Sequence, residues 1–500
     1  MSEQSRISRK TLSTMILVIS IFVVVLYNLP GSVKPGDGGE PGPIVTPMQS
    51  PPLKERADGS KLTSLELIEQ AEAKPYKVHI DAWNTPNGAK VLFVQASEIP
   101  MLDVRVVFDA GAARDGDLPG LAQLTSAMLT EGAGIADVDA IARHFEGLGA
   151  NLNTNSYRDM AIASLRTLSD PQYRDPALTM FYDVVAQPTF PESSLDRLRQ
   201  QMLLGLQQEK QSPGALAQKA FFKGLYQDLP YGIPPNGTEA SLTRITSDDL
   251  RRFHQQYYVA ANMVIAMIGD IDRTQAEMIA LQLDNQLPKG QAAPKLASAQ
   301  PLQQAQQEHV EFPSSQTHIL VGSIGVKRGD PDWFALTVGN EVLGAGGFSS
   351  RLNQIIRQDN GLAYSVYSHF IPMASEGPFL INLQTRNDQT QQALTLLNDT
   401  LQSFVETGPT EEELEAAKRH ILGSFPLQTA SNSNIVDYLG MIGFYDLPLD
   451  YLDTYIGNIE KVDIKAIKKA FGRVVQPEAM FTVTAGQQTT PVSADTEASL

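Results

Sequence analysis

FPESSLDRLRQQMLLG (190–205) and GPTEEELEAAKRHILG (408–423) are two copies of one helical pattern, and this duplication decides the fold. In each copy, a proline stands shortly before a run in which leucine and arginine recur at helical spacing. Pro191 and Thr410 mark the two helix starts, and the glutamates directly behind them complement the partial positive charge of a helix N-terminus. The starts lie about 219 residues apart, far beyond the unit length of a solenoid, so the sequence predicts two homologous halves.

Strands and helices alternate in one order around both copies. The first half has strand-like runs within 90–109 and at 160–167, and helical periodicity at 118–130, 136–148, 176–187 and 192–210. The second half has strand-like runs at 316–326, 364–371 and 377–385, and helical periodicity at 331–343, 348–358, 388–406 and 410–423. Because both kinds of element occur in each half, the predicted fold class is α+β.

Composition narrows the class of protein. A chain of 500 residues is too long for one hydrophobic core, so two or more domains are expected. The hydrophobic fraction of 42% and charged fraction of 19% are those of a globular protein. A net charge of -17 argues against a nucleic-acid partner, because phosphates demand clustered lysine and arginine. The absence of cysteine excludes disulfides, cysteine nucleophiles and cysteine metal ligands, and leaves the compartment open.

The N-terminal sequence resembles a membrane-targeting segment. Three basic residues within the first ten precede an apolar run at 12–29, which is just long enough to cross a bilayer core. The positive-inside rule then predicts a cytoplasmic tail at 1–11 and a transmembrane signal anchor at 12–29. The body would lie in the periplasm of a bacterial-type cell, held to the inner membrane by a single pass. The alternative is a cleaved signal peptide, although no clear cleavage site follows the run.

Linker-like composition suggests the domain bounds. Proline and glycine are frequent after the apolar run, which predicts a tether at 30–60. A second polar stretch, PKGQAAPKLASAQPLQQAQQ (288–307), predicts an inter-half linker at 291–310. The two halves are therefore expected at 61–290 and 311–490.

Three segments carry a resemblance to a known family. They are DAGAARDGDLPGLAQLTSAMLTEGAG (109–134), LPYGIPPNGTEASLTRITSDDLRRFHQQYYVAANMVIAMIGDID (229–272) and LGAGGFSSRLNQIIRQDNGLAYSVYSHF (343–370). In their order they resemble the pitrilysin/insulinase zinc peptidases, the inverzincins. The resemblance covers roughly residues 75–485. It implies two metallopeptidase-like halves, each a mostly antiparallel sheet with helices packed on one face, here preceded by one transmembrane helix.

The resemblance also implies a zinc site, which this sequence has lost. The family's His-x-x-Glu-His falls on Gln123, Ser126 and Ala127, and its third ligand, a glutamate, falls on Gly205. None of the four is an adequate zinc ligand. The seven histidines form no His-x-x-Glu-His or His-Glu-x-x-His spacing, and are interpreted as surface or hydrogen-bonded core residues. The expectation is a degenerate site without metal in this chain, and zinc in a partner.

A second family element is present. The resemblance assigns to Arg357 and Tyr364, seven residues apart, the roles of holding the substrate backbone and the oxyanion. Gly361 between them allows the turn that lets both side chains point the same way. The alternative interpretation is that Arg357 is a solvated helix residue and Tyr364 a strand core residue.

These observations predict a function shared between subunits. The chain is expected to be a non-catalytic subunit of a heteromeric zinc peptidase, supplying Arg357 and Tyr364 to a homologous His-x-x-Glu-His partner that cleaves a peptide or protein substrate. Peptidase activity is not expected from this chain alone. The alternative is a non-enzymatic scaffold or binding protein derived from the peptidase family, like the core subunits of respiratory complexes. A third reading is an independent peptidase with dispersed catalytic residues.

Overall fold

The computed structural model describes residues 78–488, in which two mixed sheets organise the chain. The strands are β1 (Asp81–Asn84), β2 (Lys90–Gln95), β3 (Met101–Phe108), β4 (Gly132–Ala133), β5 (Ala136–Asp137), β6 (Asn151–Ser156), β7 (Ala161–Leu168), β8 (Met263–Gly269), β9 (Gln306–Glu311), β10 (Gln316–Ile324), β11 (Val366–Phe370), β12 (Pro378–Arg386) and β13 (Phe481–Gly486). β4 and β5 form a small separate hairpin.

Helices connect and cover these strands. They are α1 (Leu121–Met128), α2 (Val138–Gly147), α3 (Pro171–Ala186), α4 (Glu192–Glu209), α5 (Pro213–Tyr226), α6 (Glu239–Arg244), α7 (Ser247–Tyr257), α8 (Arg273–Gln286), α9 (Trp333–Asn340), α10 (Thr390–Thr407), α11 (Glu411–Gln428), α12 (Asn432–Phe444), α13 (Tyr451–Glu460) and α14 (Ile464–Val474). Two π-helical segments, Glu341–Ala345 and Asn353–Asp359, lie between α9 and β11.

The two sheets have the same topology. The first has the strand order β1-β2-β8-β3-β7-β6, and the second, written from its β9 edge, has the order β9-β13-β10-β12-β11. In each sheet one edge-side pair is parallel, β2 with β8 and β9 with β13, while the remaining pairs are antiparallel. Each pairing of the second sheet therefore has its counterpart in the first, and β1 is an additional edge strand.

Each half contributes one helix to the outer face of the other half's sheet. α5, from the first half, packs against β10 and β13, whereas α12, from the second half, packs against β8, β3 and β2. The two helices begin at Pro213 and Asn432, again about 219 residues apart, so the exchange follows the duplication. Neither half can bury its outer sheet face without the other.

This exchange corrects the prediction of helices on one face only. The inner faces pack against their own helices, including α3 and α7 in the first half and α10 and α14 in the second. The outer faces carry apolar side chains as well. They are Leu92, Val107 and Val264 in the first sheet and Leu320 and Phe481 in the second, all buried. Leaving these side chains in water would forfeit hydrophobic stabilisation, so both faces of each sheet are covered.

A buried carboxylate joins the halves. Asp159, only 3% exposed, accepts hydrogen bonds from the Tyr231 hydroxyl, from the backbone N–H of Ala374 at 2.7 Å and from the Tyr445 hydroxyl at 3.0 Å. Burial raises the pKa of Asp159, against the opposing effect of its hydrogen bond from Tyr231. Because Ala374 and Tyr445 belong to the second half, these bonds hold the two halves in one relative position.

The membrane part of the fold prediction is corrected. Within residues 78–488, no helix combines the length and the apolar character that a membrane span requires. The longest helices there, α4, α10 and α11, have 18 residues each and expose polar and charged side chains along one side. The predicted tail at 1–11, anchor at 12–29 and tether at 30–60 lie outside the described residues. The transmembrane helix and the single-pass inner-membrane location are therefore not retained as features of this fold.

Candidate functional site

The degenerate zinc positions lie on α1, whose start is fixed by a buried carboxylate. Gly120, with a positive φ of 91°, precedes the helix. Asp115 accepts hydrogen bonds from the backbone N–H groups of Gly120 and Ala122, both at 2.7 Å. Burial raises the pKa of Asp115 to about 7, although these two hydrogen bonds favour the ionised form. The orientation of α1 therefore depends on residues just before it.

The two ligand positions and the base position of the substituted motif share one side of α1. Gln123 and Ala127 are half-buried, and Ser126 is 2% exposed. The Ser126 hydroxyl has no hydrogen-bond partner among the described residues. An amide, an unpaired hydroxyl and a methyl group thus occupy the helix face on which the family places its ligands and base.

The fourth position, Gly205, lies on α4, which packs beside α1. Apart from its own stretch of helix, no atom lies within 4 Å of the place where a Cβ of residue 205 would be. Across residues 78–488, no three His, Cys, Asp or Glu side chains are grouped so that they hold a metal ion. The chemistry of these four residues does not fit zinc, which takes thiolate, imidazole or carboxylate ligands.

The structure brings Arg357 and Tyr364 together. Arg357 lies in the π-helical segment Asn353–Asp359, and the chain then turns at Gly361, whose φ is +63°. The backbone N–H of Gly361 donates to the carbonyl of Arg357 at 3.0 Å and closes this turn. The Arg357 guanidinium carbon lies 4.9 Å from the centre of the Tyr364 ring. Tyr364 precedes β11 and is 84% exposed, so it is not a strand core residue. The role of this pair in substrate binding stays a prediction.

Sequence reasoning missed a third side chain at this place. Phe348 is 65% exposed, and the Arg357 guanidinium carbon lies 4.4 Å from its ring centre. We call Phe348, Arg357 and Tyr364 the aromatic–arginine cluster. The available signal in the sequence is an aromatic residue directly after Gly346 and Gly347.

The guanidinium of the cluster is available to a ligand. Among the described residues, the Arg357 guanidinium makes neither a hydrogen bond nor an ion pair, and its two cation–π contacts are with the Phe348 and Tyr364 rings. The nearby Arg351, in contrast, is paired with Glu413 at 2.6 Å. A guanidinium presents five N–H donors in a fixed plane, which suits carbonyl and carboxylate oxygens. The cluster can therefore donate several hydrogen bonds to an oxygen atom from outside the chain.

Comparisons with known families cover both halves. Residues 90–239 match the family described as insulinase (peptidase family M16). Residues 244–421 match the family described as peptidase M16 inactive domain. The degenerate positions on α1 and α4 lie within the first match, and the aromatic–arginine cluster lies within the second.

Individual relatives agree with these matches. A crystal structure of a peptidase M16 inactive domain from Pseudomonas fluorescens is 44% identical, covers 83% of this chain and 99% of that one, and superposes with a TM-score of 0.80. The non-peptidase homolog YmxG of Helicobacter pylori is 28% identical over 390 residues, which are 76% of this chain and 88% of the relative. A protease from Helicobacter pylori is similar in fold, with a TM-score of 0.75 at 17% identity over 82% of this chain and all of that one.

Proposed function

The chain belongs to the M16 (insulinase) peptidase family as an inactive homologue, and from this premise we propose that it is the non-catalytic subunit of a heteromeric zinc peptidase. One observation carries the proposal. Arg357 is half-buried beside the exposed Tyr364, while the zinc positions of the same chain hold no zinc-ligating side chain. The guanidinium and the phenol can contribute to peptide cleavage when another subunit supplies the zinc site.

The chemistry of the pair suits peptide cleavage by a partner. In the partner, zinc bound by His-x-x-Glu-His supplies an activated water. Arg357 of this chain would bind backbone carbonyl oxygens of the peptide through its fixed N–H groups. The Tyr364 hydroxyl would donate a hydrogen bond to the oxygen on which negative charge develops. The substrate would thereby be held between the two subunits.

The exposure of Tyr364 supports this function over that of a scaffold. A scaffold subunit gains little stability from a tyrosine that is 84% exposed, because most of that ring buries no surface. Substrate binding, in contrast, requires an accessible hydroxyl.

The test is peptide cleavage by this chain together with a co-purified homologue that carries His-x-x-Glu-His. Tyr364→Phe removes one donor and leaves the ring, so turnover is expected to fall by roughly 10²–10³. Arg357→Ala is expected to raise KM more strongly, because the guanidinium also binds the peptide backbone. Tyr173→Phe and Arg386→Ala, which lie outside the cluster, are matched controls and should leave activity unchanged.

Two outcomes decide against the proposal. If no zinc-bearing homologue co-purifies, the shared-site function fails. If the partner binds, but its complexes with the Tyr364→Phe and Arg357→Ala variants cleave peptide at the wild-type rate, the two residues are structural and the scaffold function is favoured.

A further inference from the structure

The aromatic–arginine cluster presents more apolar surface than oxyanion binding requires. Phe348 and Tyr364 are large rings that are 65% and 84% exposed, and both pack against one guanidinium instead of against the core. A catalytic donor pair needs only the guanidinium and the phenol. The Phe348 ring is therefore the part of the cluster that the proposed function leaves unexplained.

The position of Phe348 is well defined by hydrogen bonds. It lies in the 3-10 turn Gly347–Ser349. The Gln358 side-chain amide donates to the carbonyl of Phe348 at 2.7 Å, and the Ser350 hydroxyl donates to the carbonyl of Gly347 at 2.8 Å. Because Gln358 follows Arg357 directly, the turn that carries the ring is tied to the helical segment that carries the guanidinium. The exposed ring is thus held in place relative to Arg357.

Stacking on Phe348 also restricts Arg357. A cation over a ring face is attracted by the negative potential of the π system. The guanidinium carbon lies 4.4 Å from the centre of the Phe348 ring, and its N–H groups make no hydrogen bond among the described residues. A peptide carbonyl bound there would place the neighbouring side chain of the peptide beside the exposed part of the Phe348 ring.

Resting on the proposed function, we propose that Phe348 is the apolar wall of the peptide-binding site. It positions Arg357 through the stack, and it contacts a large apolar side chain next to the carbonyl that Arg357 binds. The substrate class is therefore an extended peptide segment with a leucine-like or aromatic side chain at that place. Two other exposed apolar residues, Leu427 and Ile135, lie outside the cluster and serve as controls.

The experiment is equilibrium binding of two fluorescein-labelled peptides to the full chain without any partner, followed by anisotropy. The peptides consist of glycine, alanine and lysine and differ only at a central residue, leucine or serine. The wild-type chain is expected to prefer the leucine peptide about tenfold, as partial burial of one leucine side chain predicts. Phe348→Ser should lower affinity for the leucine peptide about tenfold and remove the preference, as loss of the same contact predicts. Leu427→Ser should bind like the wild type.

A conservative variant separates the two roles of the ring. Phe348→Leu keeps apolar surface but removes the face on which Arg357 stacks. It should retain the preference for leucine over serine while binding both peptides more weakly. Thermal unfolding of all variants should match the wild type, because the ring is mostly exposed.

Several results would overturn the proposal. They are a wild-type chain that binds neither peptide or does not discriminate between them, a Phe348→Ser variant that keeps the preference, and a Leu427→Ser variant that loses as much affinity. None of these depends on cleavage. The proposed function is judged separately by co-purification and by Tyr364→Phe turnover, so either idea can fail while the other stands.

Discussion

The exchanged helices reach the opposite sheets through glycine, and this contact predicts a measurable sensitivity to one methyl group. A Cβ added at Gly443 on α12 would lie 2.4 Å from Cγ1 of Val264 and 2.8 Å from Cδ1 of Leu92. At the equivalent position of the first half, a Cβ at Gly224 on α5 would lie 2.2 Å from Cζ of Phe481. Carbon atoms prefer separations of about 3.5–4.0 Å, so these side chains, the helix or the sheet must move by about 1 Å.

The expected cost follows from two opposing effects. Overpacking a filled core usually costs about 1–3 kcal/mol. Replacing glycine by alanine in a helix returns up to about 1 kcal/mol through helix propensity. Gly472, near the end of α14, provides a matched control because no atom lies within 4 Å of its added Cβ. Gly472→Ala therefore measures the propensity gain alone, and Gly443→Ala should be less stable than Gly472→Ala by about 1–3 kcal/mol.

Chemical denaturation of the three single variants, Gly224→Ala, Gly443→Ala and Gly472→Ala, measures these differences as shifts of the unfolding midpoint at constant slope. The midpoint denaturant concentrations of Gly224→Ala and Gly443→Ala should be lower than that of the wild type or close to it. The midpoint of Gly472→Ala should be higher than that of the wild type. Equal stabilisation of all three variants would refute the close approach of α5 and α12 to the sheets.

Two further predictions concern pH and metal. His254 is 4% exposed, donates from Nε2 to the carbonyl of Val185 at 2.9 Å, and has its pKa lowered to about 4 by burial. The neutral form of His254 stabilises the fold fully above about pH 6.5, and this contribution is lost as the pH falls toward 4, at up to about 1.4 kcal/mol per pH unit. His254→Gln should therefore make the free energy of unfolding depend less on pH between about 6.5 and 4. A pH dependence equal to that of the wild type would contradict this prediction. After gel filtration, the purified chain should hold no stoichiometric zinc, because the zinc-site positions carry Gln123, Ser126, Ala127 and Gly205. Mass spectrometry that finds about one tightly held zinc per chain would contradict this prediction.

Local patterns predicted the elements that carry their own signals. The break at Glu98-Ile99-Pro100 separates two apolar runs, and the structure has β2 and β3 on either side of it. The sequence predicts that Thr410 starts a long helix, and its hydroxyl accepts a hydrogen bond from the backbone N–H of Glu413 in a capping box at the start of α11. Such signals arise between residues a few positions apart, so the sequence alone reveals them.

Features that depend on distant residues were not predictable in this way. β6, NLNTNS, is rich in asparagine, which disfavours strands, and it forms one because β7 pairs with it. The exchange of α5 and α12 depends on contacts such as that of Gly443 with Leu92, about 350 residues away. The place of Phe348 beside Arg357 likewise needs the turn at Gly347 and the π-helical segment to be built first.

Packing explains why the two parts of the site differ. Gly205 has open space around it, so a ligand side chain there could be lost without leaving a cavity. Stability equally gives no reason for the aromatic–arginine cluster, because rings that are 65% and 84% exposed bury little surface. Packing of the core therefore explains neither the loss of the zinc-ligating side chains nor the presence of the aromatic–arginine cluster. Under the proposed function, the half-buried guanidinium beside two exposed rings is instead explained by the peptide that it binds.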